Sequence, residues 1–222
     1  SAGGAIAQDK SDTIRVAMYT QASTRGDVYG KNYIWPHMYW WEGSYDSFVR
    51  VDDKGRTLPF AVKSWKNINP TTWQITFRDD ITFWNGKKNT AENIGKTMNY
   101  LLNTDAGRAA GVLRASKLAS YRVVGPQTLE IVTPKPDPIF MPKLAAFYVV
   151  DMAAFEDLGI GEFSKRPVAS GPFEITSWSD QEQHSKAFAA SWRPAKAKNM
   201  VIIEVPEAAT RLAALQSGEV DI

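Results

Sequence analysis

The stretch that most constrains the fold is residues 58–100, where a strand pattern, a turn and a helix pattern follow one another. Residues 73–77 alternate large apolar and polar side chains, which predicts a strand with one buried face. Asn85-Gly86 predicts a turn, because both residue types tolerate positive φ. Thr90 is a suitable helix N-cap, and apolar residues recur at helical spacing after it. This succession predicts a mixed α/β protein.

Four ordered segments in this stretch form a specific series of motifs. They are Leu58-Pro59-Phe60-Ala61-Val62-Lys63-Ser64-Trp65, Trp73-Gln74-Ile75-Thr76-Phe77-Arg78, Ile81-Thr82-Phe83-Trp84-Asn85-Gly86 and Thr90-Ala91-Glu92-Asn93. The series resembles that of the extracytoplasmic solute-binding proteins of the peptide and nickel class, family 5, which feed ABC importers. The chain departs from the family pattern at Phe60, where leucine is usual, at Asp79, and at Asn93, where the family has an acidic residue.

The resemblance continues through most of the chain. It includes Tyr45 to Asp52, Val124 to Ile131, Ala169 to Phe173 and Arg211 to Asp221. In a full family member a further large lobe follows, so the resemblance implies the N-terminal portion of a periplasmic-binding-protein-like fold (type II, Venus-flytrap) with mixed sheets.

The resemblance also implies a division into lobes. We expect a discontinuous first lobe from residues 11–41 and 166–222, with a smaller second lobe, residues 42–165, inserted between its two parts. Residues 155–168 are rich in glycine and charge, which predicts a connection between the lobes. A helix is predicted before Gly218, because glycine commonly follows a helix C-terminus.

Composition excludes several classes of function. The 26 Lys and Arg residues nearly balance 24 Asp and Glu, so the chain lacks the charge excess typical of nucleic-acid binding. It contains no cysteine, which excludes disulfides and thiol chemistry. No apolar run reaches the roughly 18 residues that span a bilayer. The small, polar start at Ser1 fits an exported protein whose signal peptide has been removed.

The residues give little support for catalysis, a bound metal or a cofactor. His37 and His184 are the only histidines, and neither has partners at metal-ligand spacing. Ser170-Gly171 lacks the context of a nucleophile elbow. The pairs Asp52-Asp53 and Asp79-Asp80 are adjacent in sequence, so their side chains diverge instead of facing each other across a sugar. We therefore predict a protein that is not an enzyme.

Aromatic residues are concentrated between Tyr29 and Phe48, where they either pack inside the protein or line a binding cleft. In the family, residues just after the first strand often touch the ligand. The candidate solute-binding residues are accordingly Thr20, Gln21, Ala22, Tyr39, Trp41 and Ser170.

The resemblance implies a periplasmic or otherwise extracytoplasmic protein that captures a peptide-like solute, or a sugar, between two lobes. Its second partner would be the ABC permease, and its only attachment to the membrane would be that permease or a lost lipid anchor. Two alternatives remain: a carbohydrate-active hydrolase with an aromatic cleft, and a ligand-free module that binds another protein.

Overall fold

The computed structural model describes residues 12–20, 25–26, 28–29, 40–104 and 117–222, which form a mixed α/β structure as predicted. The strands are β1 Thr13–Met18, β2 Val49–Val51, β3 Thr57–Pro59, β4 Val62–Asn69, β5 Thr72–Phe77, β6 Ser120–Gly125, β7 Thr128–Val132, β8 Phe173–Trp178, β9 Glu182–Ala187 and β10 Asn199–Glu204. The helices are α1 Ala91–Asn103, α2 Phe140–Lys143, α3 Met152–Phe163 and α4 Ala208–Ser217.

The first sheet joins the two ends of the chain. Its strand order is β1-β10-β9-β8, with β1 parallel to β10 and the other neighbours antiparallel. Thr13 lies opposite Asn199 and Met18 opposite Glu204. After α4, the backbone amide of Asp221 donates to the carbonyl of Arg15 at 2.8 Å, so the chain returns to β1.

The second sheet has the order β4-β5-β7-β6 and is antiparallel throughout. The predicted alternation in β5 is confirmed, since Ile75 and Phe77 are buried. Helix α1 begins at the predicted N-cap, where the Thr90 hydroxyl accepts from the Asn93 amide at 3.2 Å. Helix α1 packs beside β6, and the ring of Tyr121 lies directly on Gly95.

The residues expected to connect the lobes, 155–168, are helical for most of their length, because helix α3 extends to Phe163. The Asp151 carboxylate accepts from the amides of Ala153 and Ala154 and so caps the helix start. Phe155 and Phe163 are buried and fix the helix against the core. The glycine signal has a local effect only: Gly159 has φ +68° and interrupts the helix without ending it.

Helix α4 ends as predicted, at Gly218 with φ +72°. Leu212 and Leu215 share a face of the helix, and their exposed fractions are 56% and 47%, so this face is not covered within the described residues. Over those same residues, no helix combines the length and apolar character needed to cross a membrane.

Strands β2 and β3 form a separate two-stranded sheet, and the segment before β2 meets the segment before β8 where Gly171 lies against the backbone of Ser44. The Gly171 amide donates to the Ser44 carbonyl at 3.1 Å, and the Phe173 amide donates to the carbonyl of Gly43 at 3.1 Å. A Cβ atom on Gly171 would lie 2.3 Å from the Ser44 carbonyl carbon. Only glycine permits this approach of two backbones.

We expect Gly171→Ala to lower the free energy of unfolding by about 1–3 kcal/mol, because backbone atoms cannot move aside as a flexible side chain can. Urea denaturation measures this change. The control is Gly161→Ala in α3, where an added Cβ meets nothing within 4 Å. Equal stability of the two variants would contradict the close approach at Gly171.

Candidate functional site

A buried carboxylate lies at the junction between the segments before β2 and β8. Asp46 has no solvent exposure, and its two oxygens accept hydrogen bonds from three side chains. Arg193 Nε donates to Oδ1 at 2.5 Å, while Ser170 Oγ and Trp192 Nε1 donate to Oδ2 at 2.8 and 3.0 Å. An isolated buried charge is strongly unfavourable, so these donors are what allow the carboxylate to remain inside the protein.

The guanidinium of Arg193 extends the network to the backbone. Its second terminal nitrogen donates to the carbonyl of Tyr45 at 2.9 Å and to the carbonyl of Glu42 at 3.2 Å. The planar fork of arginine suits such a set of simultaneous bonds better than the ammonium of lysine. Arg193 therefore fastens the segment that precedes β2 to the loop that follows β9.

Stacked cations and rings cover this network on its outer side. The Arg50 guanidinium lies 3.8 Å from the Phe60 ring centroid, and that of Arg78 lies 4.1 Å from the ring of Trp192. The two rings meet edge to face at 5.1 Å. Hydrogen bonds from Arg78 hold the pKa of Asp80 below its ordinary value. The cluster covers part of Trp192, whose indole N–H donates to Asp46.

Aromatic side chains hold the segment that follows β1 by its backbone carbonyls. Trp40 Nε1 donates to the Thr20 carbonyl at 2.5 Å, and Trp41 Nε1 donates to the Arg25 carbonyl at 2.8 Å. The hydroxyl of Tyr45 donates to the Gly26 carbonyl at 2.7 Å. Both tryptophans have no exposed surface. These rings thus act as supports for the segment after β1.

Two features of Arg25 and Gly26 also fix the end of this segment. Arg25 has φ +50°, a left-handed conformation that non-glycine residues seldom adopt. Gly26 packs so closely that a Cβ there would lie 2.6 Å from the Pro167 ring, and its amide donates to the Ser164 carbonyl at 2.9 Å. The end of α3 therefore fixes the far end of the segment.

The structure places three of the six candidate solute-binding residues. Thr20 follows β1 and accepts from Trp40, whereas Trp41 and Ser170 are fully buried and serve the supports described above. Gln21, Ala22 and Tyr39 lie outside the described residues, as does His37. Direct solute contact by the six residues stays a prediction.

Sequence reasoning missed Asp46, Trp192 and Arg193. Asp46 lies in a recognised motif, but nothing in the local pattern separates it from a surface carboxylate. Its partner Arg193 lies 147 positions away, so no local pattern connects the two residues.

The described residues contain no group of three or more side chains that would hold a metal ion. His184 instead pairs with Glu182 in β9, with 2.8 Å between Nε2 and Oε2, at the exposed surface. The described part of the chain therefore holds both ends of the segment after β1. It offers no cluster of side chains for a metal ion.

This fold is that of bacterial solute-binding proteins. The model of the family described as "Bacterial extracellular solute-binding proteins, family 5 Middle" matches residues 57–222. The chain belongs to this family, as its motifs indicated. The periplasmic-binding-protein-like fold expected from the sequence is likewise confirmed.

Individual relatives agree in fold while differing in what their names describe. The nickel-binding protein NikA of Staphylococcus aureus is 28% identical over 144 residues, which are 64% of this chain and 28% of that protein. The structure of NikZ from Campylobacter jejuni with Ni(L-His) has a TM-score of 0.79 at 18% identity, covering 95% of this chain and 42% of that one. AppA of Bacillus subtilis, bound to a nonapeptide, gives 0.78 at 16% identity, covering 94% and 43%.

The chain thus spans less than half the length of each of these proteins. At identities below 20%, the solved structures establish the fold and leave the solute open.

We predict that Arg193→Met lowers the free energy of unfolding by about 3–5 kcal/mol, because it leaves the Asp46 carboxylate buried without its counter-ion. The control is Arg50→Met. Arg50, like Arg193, lies over the Phe60 ring, but its only ion pair is an exposed one with Glu42. That change should lower stability by about 0–1 kcal/mol. Urea denaturation of both variants measures these changes. Equal decreases in the free energy of unfolding would show that the buried ion pair stabilises the protein no more than the exposed one.

Proposed function

We propose that the protein is the extracytoplasmic solute-binding component of an ABC importer and captures a peptide or a similarly sized polar solute. The observation that carries this proposal is the family match over residues 57–222. The fold similarity to binding proteins over 94–95% of the chain supports it. Solute captured in an interlobe cleft would favour lobe closure, and the closed protein would deliver it to a membrane permease.

The solute-facing part of this chain is the segment that follows β1, from Thr20 through Ala22, together with Tyr39. Trp41 and Ser170 contribute to the site as buried residues that hold its surroundings in place. Support comes from the three aromatic donors that hold the backbone carbonyls of Thr20, Arg25 and Gly26. A loop whose ends are already held in place loses less conformational entropy when it binds a ligand.

The lobes are residues 11–41 with 166–222, and residues 42–165. This division is supported by the sheets, because the first takes its strands from residues 13–18 and 173–204 and the second from residues 62–132. The network around Asp46 joins these two lobes into one unit. Closure is then a movement of this unit toward the further lobe that the longer relatives possess. The protein works outside the cytoplasm after removal of a signal peptide, and its membrane attachment is the permease or a lipid anchor.

The rival functions have less support. The family consists of binding proteins, which argues against a hydrolase and against a module without ligand. A sugar solute also lacks support among the relatives described above, whose names refer to nickel and peptide. The protein therefore binds its solute without turnover and uses no cofactor.

The experiment is a thermal shift and calorimetric titration of the full-length gene product with dipeptides, a nonapeptide and nickel with L-histidine. A solute at 100 times its Kd stabilises the native state by about 2.7 kcal/mol and raises the Tm. We expect one solute class to bind saturably and to be recovered unchanged. Turnover of the solute, or no shift with any polar solute, would overturn the proposal.

The contribution of the segment after β1 is tested by Trp40→Phe, which removes the donor to the Thr20 carbonyl. We expect the Kd for the identified solute to rise about three- to tenfold, the effect of one lost hydrogen bond. The matched control is Trp178→Phe, because Trp178 stacks on Trp40 but its buried indole N–H has no partner within the described structure. Equal affinities would show that the support does not serve binding.

A further inference from the structure

The turn between β5 and α1 contains the only Asn-Gly pair in the sequence, Asn85-Gly86. This pair undergoes spontaneous deamidation more readily than other asparagine sites, since glycine offers no side chain to hinder attack by its amide nitrogen. Asn85 is exposed, and Gly86 has φ +83° with nothing within 4 Å of an added Cβ. The reaction therefore has the required sequence and open space.

Hydrogen bonds hold the reacting groups apart in the folded protein. Asn85 Nδ2 donates to Asp151 Oδ2 at 2.7 Å, and Asn85 Oδ1 accepts from the Lys87 amide at 3.1 Å. The Gly86 amide, which is the nucleophile, donates to the Phe83 carbonyl at 2.8 Å. The turn must open before this nitrogen reaches the side chain of Asn85.

We propose that Asn85 is a modification site, at which deamidation replaces the amide that donates to the capping carboxylate of α3 with a second carboxylate. The Gly86 nitrogen attacks Cγ of Asn85, a C–N bond forms, and the side-chain amide leaves as ammonia. Water then opens the resulting succinimide at either carbonyl, which gives aspartate or isoaspartate at position 85. No other reactant is needed.

The modification affects more than the turn, because Asp151 has two structural roles. Its Oδ1 caps α3, whereas its Oδ2 accepts from Asn85 and lies 3.5 Å from Lys87 Nζ. Asp151 is only 4% exposed. A new carboxylate at position 85 removes the donor and places a like charge beside Asp151, whose ion pair with Lys87 is with an exposed side chain. The turn is then repelled from the start of α3.

The first test follows the modification rate in alkaline buffer by peptide mapping with mass spectrometry. Asp151→Asn is the informative variant, since its Oδ1 still caps α3 while its Nδ2 turns a donor toward the donor of Asn85. We expect deamidation at Asn85 to become about tenfold faster than in the native wild-type protein, because a hydrogen bond to a charged group is lost. Wild-type protein in urea should react fastest.

Asn99 is the internal control. It lies exposed in α1, is followed by tyrosine, and accepts a hydrogen bond from Asn103. If Asn85 in urea reacts no faster than Asn99, position 85 is not a preferred site. If the Asp151→Asn variant reacts at the wild-type rate, the contact with Asp151 does not control the reaction.

The second test exchanges the two groups. Asn85→Asp mimics the product and should lower the Tm by about 4–8 °C. The double variant Asn85→Asp with Asp151→Asn restores one donor and one acceptor in reversed order, so most of that loss should be recovered. An additive loss in the double variant would overturn the assignment of the damage to this carboxylate pair, and a Tm unchanged by Asn85→Asp would do the same.

Discussion

The buried carboxylate of Asp46 needs hydrogen-bond donors in place of water, and the rest of the structure depends on this need. Its three side-chain donors come from the loop before β8 and the loop after β9, far away in sequence. Removing any of these segments would leave a charge without water and without enough donors, which is far less favourable than an exposed pair. The packing of the first sheet against the segment before β2 is therefore determined by one charged group and its donors.

Close backbone contact at Gly171 is the geometric counterpart of this network. Ser170 can donate to Asp46 only because its neighbour lies directly on the Ser44 carbonyl, and that approach has no room for a side chain. Trp84 strengthens the same place, as its indole N–H donates to the Gly171 carbonyl at 3.1 Å. Backbone contact and buried charge thus support each other across the junction, and neither is formed by residues adjacent in sequence.

Local signals predicted local structure well. The alternation in β5, the cap at Thr90 and the stop at Gly218 each depend on residues within a few positions, and all three are confirmed. Helix α3 was missed because glycine and charge between residues 155 and 168 outweighed the single cap at Asp151. The Asp46 network could not be read from the sequence at all, since its partners lie 124 to 147 positions away.

The difference between local and long-range signals also explains why the fold can be predicted from the sequence while the solute cannot. The tryptophans that suggested a cleft lining direct their N–H groups at backbone carbonyls and are buried, so they hold the ends of the segment that follows β1. Under the proposed function, solute identity then depends on the side chains displayed by that loop and on the additional length of the relatives. Structures with nickel-histidine and with a nonapeptide share this fold at under 20% identity, as expected where support and recognition use different residues.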